Sequence, residues 1–95
     1  MQWTSYLFNV TVAGNTGTFT GLFNGPSKSI SIVPPAAGSF DLEMYDPIGH
    51  YVVAETNVVG TTKFVLNEML QNSYTILISN APNGTYKFKI TWLEF

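Results

Sequence analysis

The residues best suited to chemistry lie close together, in the segment "DLEMYDPIGH" at positions 41–50. They are Asp41, Glu43, Asp46 and His50, which is the only histidine of the chain. Carboxylate oxygens are ligands for Ca²⁺, and a mixed carboxylate and imidazole set is a ligand for Zn²⁺. The spacing matches no calcium loop, and acids are common on the outer face of an antiparallel strand. We predict no metal and no cofactor, although the sequence alone leaves metal binding by Asp41, Glu43 and Asp46 open.

Nucleophilic catalysis needs a base beside a nucleophile. His50 is the one histidine that could act as the base, no serine lies in a G-x-S-x-G elbow, and cysteine is absent. A hydrolase with paired carboxylates also needs a cleft, and 95 residues leave little material to build one. We predict that the protein is not an enzyme.

The same segment is typical of a turn. In "YDPIGH", Asp46 stands where a side chain caps backbone N–H groups, Pro47 presets the backbone, and Gly49 takes the left-handed position of a three-residue hairpin loop. "APNGT" at 81–85 has the same pattern, and we predict hairpin turns there and in "AGNTG" and "NGPSKS". Ile48 occupies a position that is usually polar, so it either folds back onto the protein or contacts a partner.

The elements that must position these residues are β-strands, because apolar residues alternate with polar ones almost everywhere. The pattern predicts an all-β fold, an antiparallel β-sandwich or jelly-roll of about eight short strands in a single domain spanning residues 1–95. At most one helical turn is expected, in "LNEMLQ". The predicted inward residues are Tyr6, Phe8, Val10, Val12, Ile30, Ile32, Phe40, Leu42, Met44, Tyr74, Ile76, Ile78, Tyr86, Phe88, Ile90 and Trp92.

Composition limits the partners. Only 11% of the residues are charged, where about 25% is usual, and the net charge is −2 with four lysines and no arginine. Arginine is the usual reader of phosphates and base edges, so we predict no nucleic-acid partner and no anionic membrane surface. Lys87 and Lys89, with Lys28, form a weak basic stripe or keep an edge strand soluble. No apolar run is long enough to span a membrane, and the N-terminal segment lacks the basic region of a signal peptide.

Two family resemblances add to this picture. The segment "SFDLEMYDPIGHYVVAET", followed by "NSYTILISNAPNGTYKFKITW", resembles the bacterial pre-peptidase C-terminal domain, over roughly residues 28–92. In that family a strand of the type D-L-x-L-Y-D-P-x-G leads into a hairpin, and here the strand carries Asp41-Leu42-Glu43. The resemblance implies a jelly-roll-like sandwich that assists secretion or binds a substrate.

The second resemblance is to small β-sandwich accessory proteins of tailed bacteriophage particles. It is carried by the short opening strand "MQWT", by "ISIVPP", and by "ISNAPNGTYKF", and it covers nearly the whole chain. It implies a role in capsid decoration or at the head–tail junction, in a protein that is made in the host cytoplasm and leaves it inside the virion.

We therefore predict first a non-enzymatic virion structural protein that bridges neighbouring capsid or tail subunits, as a homo-oligomer or repeated on a particle. The alternative is a ligand- or carbohydrate-binding β-sandwich module that resembles pre-peptidase C-terminal domains. The predicted partner contacts are Trp3, Ile48 and Tyr51, with the terminal strands as the docking edge. The terminal aromatic residues Trp3, Trp92 and Phe95 either pack together in a cluster that closes the core or form an aromatic contact patch for a partner.

Overall fold

The computed structural model describes residues 2–94, and nine β-strands account for most of them. No helix in this part of the chain is long and apolar enough to cross a membrane. The segment "LNEMLQ" contributes a two-residue strand in place of the expected helical turn. The strands are β1 Gln2–Val12, β2 Thr16–Leu22, β3 Gly25–Val33, β4 Ser39–Tyr45, β5 Tyr51–Val59, β6 Thr62–Val65, β7 Met69–Leu70, β8 Ser73–Ser79 and β9 Gly84–Glu94.

The strands form two antiparallel sheets packed face to face. The first, called sheet A, has the order β1-β9-β3-β6, and β7 pairs with the beginning of β3. The second, sheet B, has the order β2-β8-β4-β5. This confirms the predicted antiparallel β-sandwich. The ninth strand, beyond the eight expected, is the short β7.

The core lies between the sheets and consists of the residues that the alternation predicts. In β4, Phe40, Leu42 and Met44 are fully buried, while the residues between them are half-buried on the other face. Fifteen of the sixteen predicted inward residues are buried. The exception is Tyr6, whose side chain is 45% exposed although its ring stacks on Phe8 with a centroid distance of 5.5 Å.

Most turns carry the chain from one sheet to the other. The segment "APNGT" joins β8 of sheet B to β9 of sheet A, and residues 13–15 join β1 of sheet A to β2 of sheet B. The hairpins predicted at "APNGT" and "NGPSKS" are therefore wrong, because a local turn pattern does not state which sheet its second strand enters. In "AGNTG" the predicted tight turn forms, with Ala13 bridged to Thr16 and positive φ at Gly14 and Asn15, although β1 and β2 then enter different sheets. Within residues 2–94, β4 and β5 are the one pair of consecutive strands that pair with each other.

The terminal strands are neighbours, as expected, but their tryptophans lie on opposite faces. β1 pairs with β9 along its whole length, with Trp3 opposite Leu93 and Thr4 opposite Trp92. Trp92 faces the core and meets the Phe23 ring edge-on at 5.4 Å, whereas Trp3 is 54% exposed. The predicted packing of the two tryptophans is therefore wrong, and Phe95 lies outside the described residues.

Candidate functional site

The hairpin between β4 and β5 confirms the prediction that Asp46 caps backbone N–H groups of a turn. Its Oδ1 accepts hydrogen bonds from the backbone N–H of Ile48 at 3.1 Å and of His50 at 2.8 Å. The N–H of Gly49 donates to the Asp46 carbonyl oxygen, and φ of Gly49 is +87°, as the three-residue loop requires. The Asp46 carboxylate therefore holds the turn.

Asp41 and Glu43, the other two predicted metal ligands, lie two residues apart on the same face of β4. The carboxylate of Asp41 accepts hydrogen bonds from the side-chain amide of Asn80 at 2.7 Å and from the backbone N–H of Asn57 at 3.0 Å. These two donors, the Asn80 amide foremost, lower the pKa of Asp41 below its ordinary value. His50 Nε2 lies 3.4 Å from Glu68 Oε1. Across residues 2–94, no three histidine, aspartate or glutamate side chains are grouped so that they could hold a metal ion.

The three predicted partner contacts are all exposed. Ile48 is 90% exposed at the tip of the hairpin, so the interpretation in which it folds back onto the protein is wrong. Tyr51 is 52% exposed, and its ring meets Tyr45 edge-on at 5.5 Å. The ammonium group of Lys28 lies 5.0 Å from the centroid of the Trp3 ring. Exposure leaves all three side chains free to contact a partner, and that role stays a prediction.

A groove opens between β1 and β2, which are the edge strands of the two sheets on one side of the sandwich. Its volume is about 390 Å³, within the range of small-ligand sites. Tyr6 forms one wall from β1, and the floor is aromatic, because Phe23 and Trp92 lie in contact there. The residues that line it are Tyr6, Phe19, Thr20, Gly21, Leu22, Phe23 and Trp92.

Gly21 keeps the groove open. It lies on the inward face of β2, between Phe19 and Phe23, where the alternation would place a core side chain. A Cβ atom at position 21 would lie 2.9 Å from the Phe19 ring and 3.2 Å from the Phe23 ring. Those rings would have to shift to make room, so the glycine leaves space at this position that a side chain would fill.

A second feature lies on the outer face of sheet A, where all four lysines are exposed. Lys28 lies in β3, Lys63 in β6, and Lys87 and Lys89 in β9. Lys28, Lys63 and Lys89 line one shallow depression of about 240 Å³, together with hydroxyl groups of Ser5, Ser29, Ser31 and Thr91. The predicted basic stripe thus has a different composition, because β6 brings in Lys63 and Lys87 lies outside the depression.

Sequence reasoning missed the groove, although a signal for it was present. In "GTFTGLF", Gly17 and Gly21 alternate with Phe19 and Phe23 on one face of a strand. A glycine at an inward strand position often marks the close approach of a ligand or of another backbone. The position of Lys63 carried no such signal, because the alternation does not reveal which strand is the neighbour of β3.

Comparison with known proteins places the fold but no family. No protein-family model matches the sequence, and no curated protein matches it. Among solved structures, the pre-peptidase C-terminal domain of collagenase from Bacillus anthracis is similar, with a TM-score of 0.60 and 11% identity over 92% of this chain and 85% of that chain. FlhE is similar with a TM-score of 0.55 and 4% identity, over 99% of this chain and 100% of that one. The Drosophila NLP core gives a TM-score of 0.52 and 9% identity, over 98% of each chain.

These likenesses show the β-sandwich fold alone, because every identity is 11% or lower. The fold implied by the resemblance to pre-peptidase C-terminal domains is confirmed. The resemblance to tailed-phage accessory proteins has no counterpart among these three structures and stays a prediction. The fold and the groove together define a small β-sandwich with a preformed concave site between two edge strands.

Proposed function

We propose that this protein is a non-catalytic binding module that takes its ligand in the groove between β1 and β2. The observation that carries the proposal is the open groove itself, with Gly21 in place of a core side chain and aromatic rings on its floor and wall. Aromatic side chains supply a large contact area, and their faces accept the apolar C–H surface of sugar rings. This proposal corresponds to the ligand- or carbohydrate-binding alternative.

The lining decides the kind of ligand. It contains no charged residue, and its polar side-chain groups are the hydroxyls of Tyr6 and Thr20 and the indole N–H of Trp92, of which the Thr20 hydroxyl is hydrogen-bonded to Thr75. A charged ligand would lose its hydration in this groove without gaining a partner of opposite charge. The ligand is therefore neutral, with an apolar face that lies on the aromatic rings and hydroxyl groups that stay in contact with water, such as a neutral sugar chain.

The experiment uses Trp92 as a reporter. The chain has two tryptophans, so Trp3→Phe leaves Trp92, on the groove floor, as the one tryptophan that fluoresces. Titration with neutral oligosaccharides is expected to change its emission saturably. Gly21→Val, which adds a side chain against the Phe19 and Phe23 rings in the groove lining, is expected to weaken binding at least about tenfold. Thr18→Val, at an exposed position of the same strand, is the matched control.

A second variant covers the possibility that Gly21→Val does not fold. Tyr6→Ala removes the half-exposed wall of the groove and leaves the buried core in place. It is expected to weaken the binding of the oligosaccharide by a similar factor. Unchanged emission on addition of every neutral oligosaccharide, or equal binding by Tyr6→Ala and the parent protein, would contradict the proposal.

One observation favours a second candidate, the virion structural protein that bridges subunits in a repeated assembly. No charged side chain precedes Lys28, so the edge strands β1 and β2 are both uncharged. β1 pairs with β9 without a bulge, and Leu7 on its outer face is 72% exposed. An edge of this kind is suited to pairing with another chain. Light scattering coupled to size exclusion tests this candidate, and a monomer at every concentration, alone and with capsids, contradicts it.

A further inference from the structure

The outer face of sheet A carries four exposed lysines, and none of them pairs with a carboxylate among residues 2–93. Within residues 2–93 the one contact of a lysine or histidine nitrogen with a carboxylate is His50–Glu68, so none of the four lysines has a carboxylate of these residues within 4.0 Å. The acids lie mostly elsewhere, with Asp41 and Glu43 on β4, Asp46 in the hairpin after it and Glu55 on β5. A protein of net charge −2 therefore presents a locally cationic face.

Strand register brings the cationic groups to one place. Ser31 pairs with Lys89 on one side and with Lys63 on the other, so both lysines flank the same serine. Lys28 closes the third side of the depression, and its ammonium group lies against the exposed ring of Trp3. Three cations thus surround a floor of hydroxyl groups, next to an aromatic ring.

This arrangement combines the three kinds of contact that an acidic sugar chain requires. Lysine ammonium groups pair with carboxylate or sulfate groups, and side-chain hydroxyls exchange hydrogen bonds with sugar hydroxyls. An exposed tryptophan ring offers a face on which a sugar ring stacks. In this depression Ser5 Oγ and Thr91 Oγ1 lie 3.0 Å apart, and each retains further hydrogen-bonding capacity.

We propose that this face binds an anionic polysaccharide, with its acidic groups among Lys28, Lys63 and Lys89 and a sugar ring against Trp3. The site is separate from the groove between β1 and β2, since the two share no lining residue. Either site can therefore fail its test without affecting the other. A nucleic acid is less suited to this face, because the chain has no arginine for bidentate phosphate contacts.

The test is affinity electrophoresis of the folded protein in gels that contain polygalacturonate, dextran sulfate or neutral dextran. The first two polymers are expected to retard the protein, with retardation falling as salt is added, and neutral dextran is expected to have no effect. Lys63→Gln combined with Lys89→Gln is expected to weaken binding at least about tenfold. Lys87→Gln removes one charge from the same strand outside the depression, and it is expected to change the affinity by less than about threefold.

Trp3→Ala separates the sugar site from a general attraction to polyanions. If a sugar ring stacks on Trp3, this variant loses about tenfold in affinity for polygalacturonate while it keeps all four lysines. The substituted side chains are exposed, so each variant is expected to fold, and circular dichroism checks this before binding is measured. The proposal is overturned if Lys87→Gln weakens binding as much as the double variant, or if Trp3→Ala binds as well as the parent protein. Tighter binding of single-stranded DNA than of polygalacturonate at equal salt would also overturn it.

Discussion

On each of the two long sides of the sandwich, a short connection joins the edge strand of one sheet to the edge strand of the other sheet. The edge strands of the two sides differ in charge and in regularity. On one side β1 passes to β2 through residues 13–15, and on the other β5 passes to β6 through residues 60–61. The β1–β2 side is regular, uncharged and open at the groove. The β5–β6 side has two irregularities in the pairing of β5, a left-handed Asn57 and only four residues in β6.

The difference indicates where a partner can approach. Charged side chains, bulges and short strands are the means by which proteins prevent the addition of a further strand at a sheet edge. Glu55 and Lys63 supply the charges on the β5–β6 side, and the carboxylate of Asp41 holds the irregular backbone at Asn57. The β1–β2 side has none of these features, and it is also the side on which the core is accessible.

The two sides are expected to differ most in how much their core residues contribute to the free energy of unfolding. The ring of Phe8 lies in an aromatic stack, with its centroid 4.2 Å from that of Phe19 and 5.1 Å from that of Phe88. This stack joins the two sheets beside the groove. Phe8→Ala is expected to lower the free energy of unfolding by about 3–5 kcal/mol. Phe64→Ala, on half-buried β6, is expected to lower it by about 1–2 kcal/mol. Urea unfolding measures both, and equal losses would show that the aromatic stack is no more important than the opposite side.

A smaller effect on stability, limited to acidic pH, is expected from Asp41 on the β5–β6 side. The pKa of Asp41 is lowered in the folded protein, so the stabilisation from its hydrogen bonds is present above the ordinary value of 3.8 and is lost as the pH falls through the lowered pKa. Asp41→Asn should therefore flatten the dependence of stability on pH below about pH 4. Urea unfolding between pH 7 and pH 2 measures this, with Glu43→Gln as the control. An identical acid dependence in Asp41→Asn and the parent protein would contradict the assignment.

The smallest effect on stability is expected at the exposed edge itself. Leu7→Lys introduces the first charge on β1, at a side chain that contributes little to the core, and should change the free energy of unfolding by less than about 0.5 kcal/mol. If β1 pairs with another chain, this variant loses that association, whereas Val65→Lys, at an equally exposed position of β6, keeps it. Analytical ultracentrifugation compares the two variants, and equal association constants would show that β1 is not the docking edge.

The alternation of apolar and polar residues predicted which face of each strand is buried, because successive side chains of a strand point to opposite faces and one face of each sheet covers the core. Phe40, Leu42 and Met44 therefore lie where the sequence places them, and the turn chemistry of Asp46 is local and was predicted correctly. Pairing between distant strands is not encoded in any one segment. For this reason the sheet-to-sheet corners and the approach of Lys63 to Lys89 could not be predicted, whereas the glycines of "GTFTGLF" were a local signal for the groove.

The order of strands in sheet A has a consequence for synthesis. β9, which follows the other eight strands in the sequence, lies between β1 and β3, which are both made long before it. A ribosome adds about 5–20 residues per second, so β1 and β3 spend several seconds in the nascent chain before the strand that joins them is made. During that interval the uncharged β1 has two unpaired edges. We expect a chaperone that shields extended apolar segments to raise the yield of folded protein most when translation is slowed before β9.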